Sequence, residues 1–269
     1  MLSENRYILN AFLALVVVGL IIPFNAMAQP LDKEEPSDHI LNCQRPLGYH
    51  LSYKEFTCPL GGEKFKSLVL GTHSTFGRHL DWEPVSYMEF PAPLAVCPSN
   101  GFVISKENYT DAELEKFGSV IASDEYQRVF AEKHASYYYF FRLNQMLKEN
   151  SNEQWWYLVE ATWEAEQCND SEKYQLYAKE AIKAGKLFLE KNKAKEQDYW
   201  ILNIIIPNLY RRVGEFQSAH AWLDAFGDQL PEEQETKEFF ELAFQLLRQA
   251  VAAKDTTKIP IEKPKNAKQ

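Results

Sequence analysis

Residues 199–231, YWILNIIIPNLYRRVGEFQSAHAWLDAFGDQLP, carry the clearest fold information in the second half of the chain. Gly214 separates two stretches in which large apolar residues recur, and this pattern predicts two antiparallel helices joined by a short turn. Pro207 lies inside the first predicted helix and is expected to kink it, whereas Pro231 ends the second. A similar helix pair precedes this one, so the sequence indicates a stack of helix pairs.

Five positions of this segment match the pattern of a tetratricopeptide repeat. They are a tyrosine, a glycine, an alanine, a large residue and a proline: Tyr210, Gly214, Ala219, Leu223 and Pro231. The small alanine allows the two helices to approach closely. The preceding pair is related at an offset of 41 residues (219 − 178, two alanines), rather than the about 34 typical of the motif. The predicted repeat is therefore irregular.

Further helices are predicted from residue 110 onward, and the helical region as a whole is expected to cover residues 110–253. Thr110 is the expected N-cap of the first helix, with Glu113 three residues later to complete a capping box. One continuous helix is then indicated by an aromatic face at intervals of three and four residues: Tyr126, Phe130, His134, Tyr137 and Phe141. Such rings either pack in the core, which is their commoner use, or line a ligand groove.

The first 28 residues have the pattern of an export signal. Residues 8–24 are almost wholly apolar, and Ala26-Met27-Ala28 is the small-x-small sequence after which signal peptidase cuts. The alternative is an uncleaved anchor helix, although this apolar run is at the short limit of a membrane span. Residues 29–40 are polar and acidic and are predicted to be a linker. We therefore expect a periplasmic or secreted bacterial protein with no stable membrane insertion after signal removal.

Two Cys-Pro sequences dominate residues 41–109: CPLGG from Cys58 and CPSNG from Cys97. Each resembles half of a zinc knuckle, Cys-Pro-x-Cys-Gly, but Gly61 and Asn100 stand where the second cysteine should be. Short apolar runs separated by Gly and Pro predict a small, irregular β-rich module around them. The sequence thus indicates a degenerate zinc ribbon ahead of the helices.

The chemistry of these cysteines has several possible forms. In an exported protein we favour a Cys58–Cys97 disulfide, which closes a loop of about 40 residues. A Cys43–Cys58 bridge is the main rival. Cys168 is either free or, where Cys43 is not bonded to Cys58, bonded to Cys43. Redox catalysis by a thiol is not favoured, because the chain contains no Cys-x-x-Cys sequence.

Zinc is the alternative to a disulfide. A structural zinc site needs four ligands, and the candidates are Cys58, Cys97, His73 and His79. Their spacing fits no standard zinc finger. We therefore predict no metal and no cofactor, with this zinc set kept as the alternative.

Charged residues are concentrated in TFGRHLDWEPV, residues 75–85. His79, Asp81 and Glu83 could form the acid–base group of a hydrolase that acts on envelope material. The other interpretation is a tight turn at Gly77, with Leu80 buried and Asp81 bonded to local backbone amides, and we favour it. The sequence contains none of the common hydrolase or nucleotide-binding motifs, so no catalytic residue is assigned.

The stretches CPLGGEKF, TFGRHLDWEP and LAVCPSNGF, followed by DAEL and repeat-like helices, resemble an uncharacterised bacterial family of unknown function. Its members have a Cys-Pro knuckle module ahead of tetratricopeptide-like helices, and the similarity covers about residues 56–226. The resemblance implies this architecture and a bacterial source. Many relatives have complete knuckles, which imply bound zinc. Because Gly61 and Asn100 depart from that pattern, the resemblance does not imply zinc in this chain.

The charge distribution limits the partners. A net charge of −9 argues against nucleic acid as a ligand. Residues 254–269 are the exception, since they carry five lysines and two prolines, and they are predicted to be a disordered, solubilising basic tail.

The predicted fold class is α+β, mainly α: the β-rich knuckle module followed by an antiparallel helix-pair stack. Stacked helix pairs present grooves that bind peptides or proteins. We therefore predict a non-catalytic interaction protein whose groove is walled by Trp155, Trp163 and Tyr210. The alternatives are the hydrolase and a zinc- or redox-responsive module.

Overall fold

The computed structural model describes residues 51–88, 90–148, 154–191, 197–227 and 229–262. The predicted signal sequence, the linker, Cys43 and the last seven residues lie outside these ranges. Three short antiparallel ribbons come first, with strands β1 (Leu51–Thr57), β2 (Lys64–Leu70), β3 (Gly77–Arg78), β4 (Pro84–Val85), β5 (Ala95–Val96) and β6 (Val103–Ile104). The strands pair in sequence order, β1 with β2, β3 with β4 and β5 with β6.

Helices make up the rest of the described chain. They are α1 (Asp111–Ile121), α2 (Asp124–Ala131), α3 (Ser136–Met146), α4 (Gln154–Gln167), α5 (Ser171–Lys191), α6 (Gln197–Arg212), α7 (Phe216–Phe226) and α8 (Gln234–Ala252). Helix accounts for 56% of the structure, so the predicted class, α+β and mainly α, is confirmed. Of the helices that the structure describes, none combines the length and the apolar character needed to cross a lipid bilayer.

The first helix begins with the predicted capping box. Thr110 Oγ1 accepts a hydrogen bond from Glu113 N at 3.3 Å, and Glu113 Oε2 accepts one from Thr110 N at 2.8 Å. These reciprocal bonds satisfy two backbone donors that a helix start would otherwise leave unpaired.

The aromatic face predicted as one continuous helix is divided between two. Helix α2 ends at Ala131, and α3 begins at Ser136. Lys133 adopts a left-handed backbone conformation with φ of 52°, which interrupts the helix, and His134 N donates to the hydroxyl of Tyr139 at 2.8 Å. The prediction of one helix is therefore wrong, because the aromatic periodicity continues across a break that this side-chain hydrogen bond stabilises.

Helices α6 and α7 form the predicted pair around Gly214. This glycine has φ of 83°, a conformation that favours glycine, and Glu215 N closes the turn on Tyr210 O at 2.8 Å. Ala219 is fully buried, as the close approach of two helices requires. Helix α6 is buried along most of its length because α5, α7 and α8 all pack against it. The tetratricopeptide relationship itself stays a prediction.

The strands and the helices share their hydrophobic cores. Leu80, Val96 and Val103 belong to the core formed mainly by α3–α8. A second cluster packs the two knuckle cysteines and Phe102 against residues of α1, α2 and α3. The strands and helices of the described residues accordingly form one compact unit.

Residues 254–262, which we call the C-terminal strap, are not disordered as predicted. Ile261 is buried, and its backbone N donates to Arg78 O at 2.7 Å, while Leu80 N donates to Ile259 O at 2.9 Å. The strap thus lies beside β3 as a short extended segment. The composition of the tail suggested disorder, but pairing with the module and a buried isoleucine order its first nine residues (262 − 254 + 1).

Candidate functional site

The two Cys-Pro turns have the same backbone geometry. Cys58 N donates to Glu63 O, and Gly62 N to Cys58 O, both at 2.8 Å. In the second turn, Cys97 N donates to Phe102 O at 2.8 Å, and Gly101 N to Cys97 O at 2.9 Å. Both terminal glycines have φ near +70° (70° and 77°). The knuckle backbone is therefore retained although the second cysteine of each knuckle is absent.

The two turns face each other. The Sγ atoms of Cys58 and Cys97 lie 2.11 Å apart, which is a disulfide bond, and the two Cα atoms are 5.6 Å apart. Asn100 Nδ2 lies 3.7 Å from Cys58 Sγ, and a Cβ added at Gly61 would lie 3.5 Å from the same amide nitrogen. The four positions that correspond to the ligands of a paired knuckle thus converge, and two of them are joined by a disulfide bond.

The alternative zinc set does not form in this structure. Because the sulfurs of Cys58 and Cys97 are bonded to each other, neither is a thiolate that could bind zinc. His73 is exposed, and Nδ1 of His79 faces the carbonyl of Glu83 at 3.2 Å. The rival Cys43–Cys58 bridge is excluded by the same bond.

Cys168 is not a free thiol either. It lies just after the end of α4, and it is disulfide-bonded. Among the described residues, no cysteine is free. The oxidised state of these cysteines leaves no thiol in the described part of the chain for redox or metal chemistry.

The predicted groove walls are mostly core. Trp155 and Trp163 are 4% and 2% exposed, because α4 packs between α3 and α5. Trp156 contacts both rings edge-on, at centroid distances of 5.3 and 5.4 Å. Neither Trp155 nor Trp163 is accessible to a ligand, so their assignment to a groove is wrong. Tyr210 is half-buried and does line an open groove, described below.

The charged stretch around His79 forms a tight turn, as favoured by the sequence. Trp82 N donates to His79 O at 2.9 Å, and Asp81 Oδ1 accepts from Glu83 N at 3.1 Å. Trp82, not Gly77, has the left-handed conformation, with φ of 71°. Leu80 is buried at 1% exposure.

The carboxylates of this turn are buried and paired. Asp81 and Glu83 are 2% and 5% exposed. The ammonium of Lys258, from the C-terminal strap, forms an ion pair with Glu83 and lies 2.9 Å from Glu166 Oε2 at the end of α4. Glu166 in turn pairs with Arg212. The result is an ion network of alternating charges that joins the β-rich module, the helices and the C-terminal strap.

Burial and the neighbouring charges determine the pKa values of the groups in this ion network. Desolvation raises the pKa of Glu83 to about 7, although Lys258 opposes the shift. Burial alone would lower the pKa of Lys258, but the nearby carboxylates, Asp81 first, raise it. Carboxylate oxygens of Asp81, Glu83 and Glu166 lie within 4.8 Å of one another, a spacing that could hold a metal ion. In this structure the ammonium of Lys258 supplies positive charge beside these carboxylates.

An open groove runs along α5, and we call it the α5 groove. Its volume is about 450 Å³, and one wall is a single face of α5. The lining residues are Lys179, Ile182, Lys183, Lys186, Leu187, Glu190, Tyr210 and Glu215. The sequence carries a signal for this surface: lysines at positions 179, 183 and 186 recur at intervals of four and three on one helical face.

The chain matches no known family model, no curated protein and no solved structure.

Proposed function

We propose that the chain is an exported, non-catalytic interaction protein that binds a protein or peptide partner in the α5 groove. The observation that carries this proposal is the groove itself. Two lysines and Leu187 on its α5 wall remain exposed on a helix whose opposite face is packed in the core. A rigid element that presents outward-facing side chains beside an open groove is a common arrangement for peptide recognition.

Export is supported by two observations. The amino-terminal sequence has the pattern of a cleaved signal, and the described cysteines are oxidised, which suits a periplasmic or secreted protein. A non-catalytic role is supported by the turn at His79–Glu83, whose carboxylates are occupied by backbone and lysine contacts.

Photo-crosslinking from the groove tests the proposal. A photoreactive phenylalanine analogue is placed at Leu187, in the groove, or at Phe76, a 68% exposed aromatic position in the β-rich module. In cells that express the full chain, we expect a discrete crosslinked partner from position 187 and none of the same mass from position 76. Identical products from both positions, or none from position 187, would contradict a groove-bound partner.

A further inference from the structure

The α5 groove is lined by three lysines and two glutamates, in a protein that is acidic overall. Helix α5 carries five lysines against three glutamates, whereas the whole chain has a net charge of −9. Lys179 and Lys183 are exposed and lie one helical turn apart on the groove wall. Neither forms an ion pair within the part of the chain that the structure describes. Their charges are therefore available to a ligand.

The third lysine is held in place. Lys186 Nζ donates to the hydroxyl of Tyr210 at 2.6 Å, and it lies 5.1 Å from the centroid of that ring. It also lies 5.4 Å from the ring centroid of Trp222. Hydrogen bonding and two aromatic rings restrain this lining ammonium, which reduces the entropy lost when it pairs with an anion.

The same wall offers an apolar contact. Leu187 is 47% exposed, on a helix whose other face is in the core. It lies one turn beyond Lys183 on the same stripe. A ligand that covers the lysines would also bury this side chain.

The length and polarity of the groove limit the ligand further. Lys179 and Glu190 are 11 residues apart (190 − 179), which corresponds to about 16 Å along the helix axis. An extended peptide of about five residues spans that distance. Glu190 and Glu215 also line the groove and disfavour negative charge next to them. Acidic groups of a ligand should therefore pair with Lys179, Lys183 and Lys186.

We infer that the ligand of the α5 groove is an acidic peptide segment that also carries a large apolar side chain. This inference rests on the proposed function and specifies its partner by chemistry. Carboxylates pair with the two exposed lysines and with the anchored ammonium of Lys186, while the apolar side chain covers Leu187.

Fluorescence anisotropy with labelled peptides tests the inference on the full exported chain. Three heptapeptides share the same leucines and differ only in their other positions, which are glutamate, serine or lysine. We expect the glutamate peptide to bind at least about tenfold more tightly than the lysine peptide at low ionic strength. Its affinity should fall as salt is raised, because exposed charges are screened beyond about 10 Å at 0.1 M salt.

Two groove variants and one matched control locate the site. Lys183→Glu should weaken binding of the glutamate peptide about fivefold, since it replaces an attraction by a repulsion at an exposed position. Leu187→Ser should weaken binding of all the peptides that bind. Lys66→Glu changes another exposed lysine, on β2, and should leave the affinity unchanged.

The outcomes separate this inference from the proposed function. If the glutamate and lysine peptides bind equally well and Leu187→Ser still weakens both, the groove binds peptides but not by acidity, and the inference is wrong. If Lys66→Glu weakens binding as much as Lys183→Glu, the attraction is not localised to the groove, which also overturns the inference. If none of the peptides binds, both the inference and the groove-based function are contradicted.

Discussion

The ammonium of Lys258 lies 2.9 Å from Oε2 of Glu166, and this contact joins the C-terminal strap to the end of α4. The same ammonium pairs with Glu83 in the turn between β3 and β4. A single side chain from the strap thus provides the counter-charge for carboxylates from two distant segments. The buried guanidinium of Arg211 fixes the strap from the other side, by donating to the carbonyls of Asp255 and Thr257 at 2.6 and 2.9 Å.

Loss of the strap lysine should destabilise the fold. Lys258→Met leaves Glu83 and Glu166 without this counter-charge, and we expect the free energy of unfolding to fall by about 3 kcal/mol. Urea unfolding followed by tryptophan fluorescence at about pH 8 measures the change. The control is Lys254→Met, an exposed lysine of the same strap, which should cost less than about 0.5 kcal/mol. Equal costs for the two variants would contradict the role assigned to Lys258.

The knuckle disulfide should contribute strongly to stability. It closes a loop with a sequence separation of 39 residues, and the loop-entropy estimate for such a bridge is roughly 4 kcal/mol. The double variant Cys58→Ser/Cys97→Ser is expected to lose most of that amount in urea unfolding. Peptide mapping of the unreduced wild type should recover the two cysteines in one linked pair of peptides. Recovery of both as alkylated thiols would show that the bond is absent.

The two knuckle glycines should differ in their tolerance of a side chain. At Gly62, with φ of 70°, an added Cβ meets nothing within 4 Å, so Gly62→Ala should cost only the strain of the left-handed conformation, about 1 kcal/mol. At Gly101, with φ of 77°, the Cβ would lie 2.7 Å from the ring of Phe130. Gly101→Ala should therefore cost a further amount of about 1–3 kcal/mol through overpacking. Thermal unfolding of both variants checks the order, and a less stable Gly62→Ala would refute it.

Glu160 should make the stability depend on pH. Burial, together with Glu164, raises the pKa of Glu160 from 4.5 to about 8. The folded state therefore binds this proton more tightly than the unfolded state does. The resulting stabilisation is complete below about pH 4.5 and is lost as the pH rises through about 8. Glu160→Gln removes this loss, so the variant should gain stability relative to wild type between about pH 5 and about pH 8.5.

The difference in unfolding free energy between Glu160→Gln and wild type, measured at about pH 5 and at about pH 8.5, reports the titration of Glu160 alone. His134 has a pKa lowered by burial to about 4, and its contribution is lost in the opposite direction, as the pH falls, in both proteins alike. Glu172→Gln, at an exposed position of α5, is the matched control. A pH-independent difference between Glu160→Gln and wild type would rule out the proposed titration.

The sequence predicted the features whose causes are local. The capping box at Thr110, the turn at Gly214 and the alternation of helix pairs depend on residues within a few positions of each other, and each is present in the structure. The Cys58–Cys97 pairing was also predictable, because two knuckle turns with one cysteine each suggested how their sulfurs would meet.

Only the tertiary structure decided which helical faces are covered and where distant segments meet. Helical periodicity cannot tell the buried Trp155 from an exposed groove wall, since the packing of α3 and α5 determines its burial. The strap was mispredicted because a lysine-rich tail has no local sign of order. Its order comes from side chains and backbone groups that are distant along the chain, among them Glu83, Glu166 and Arg211, and local sequence patterns do not encode these contacts.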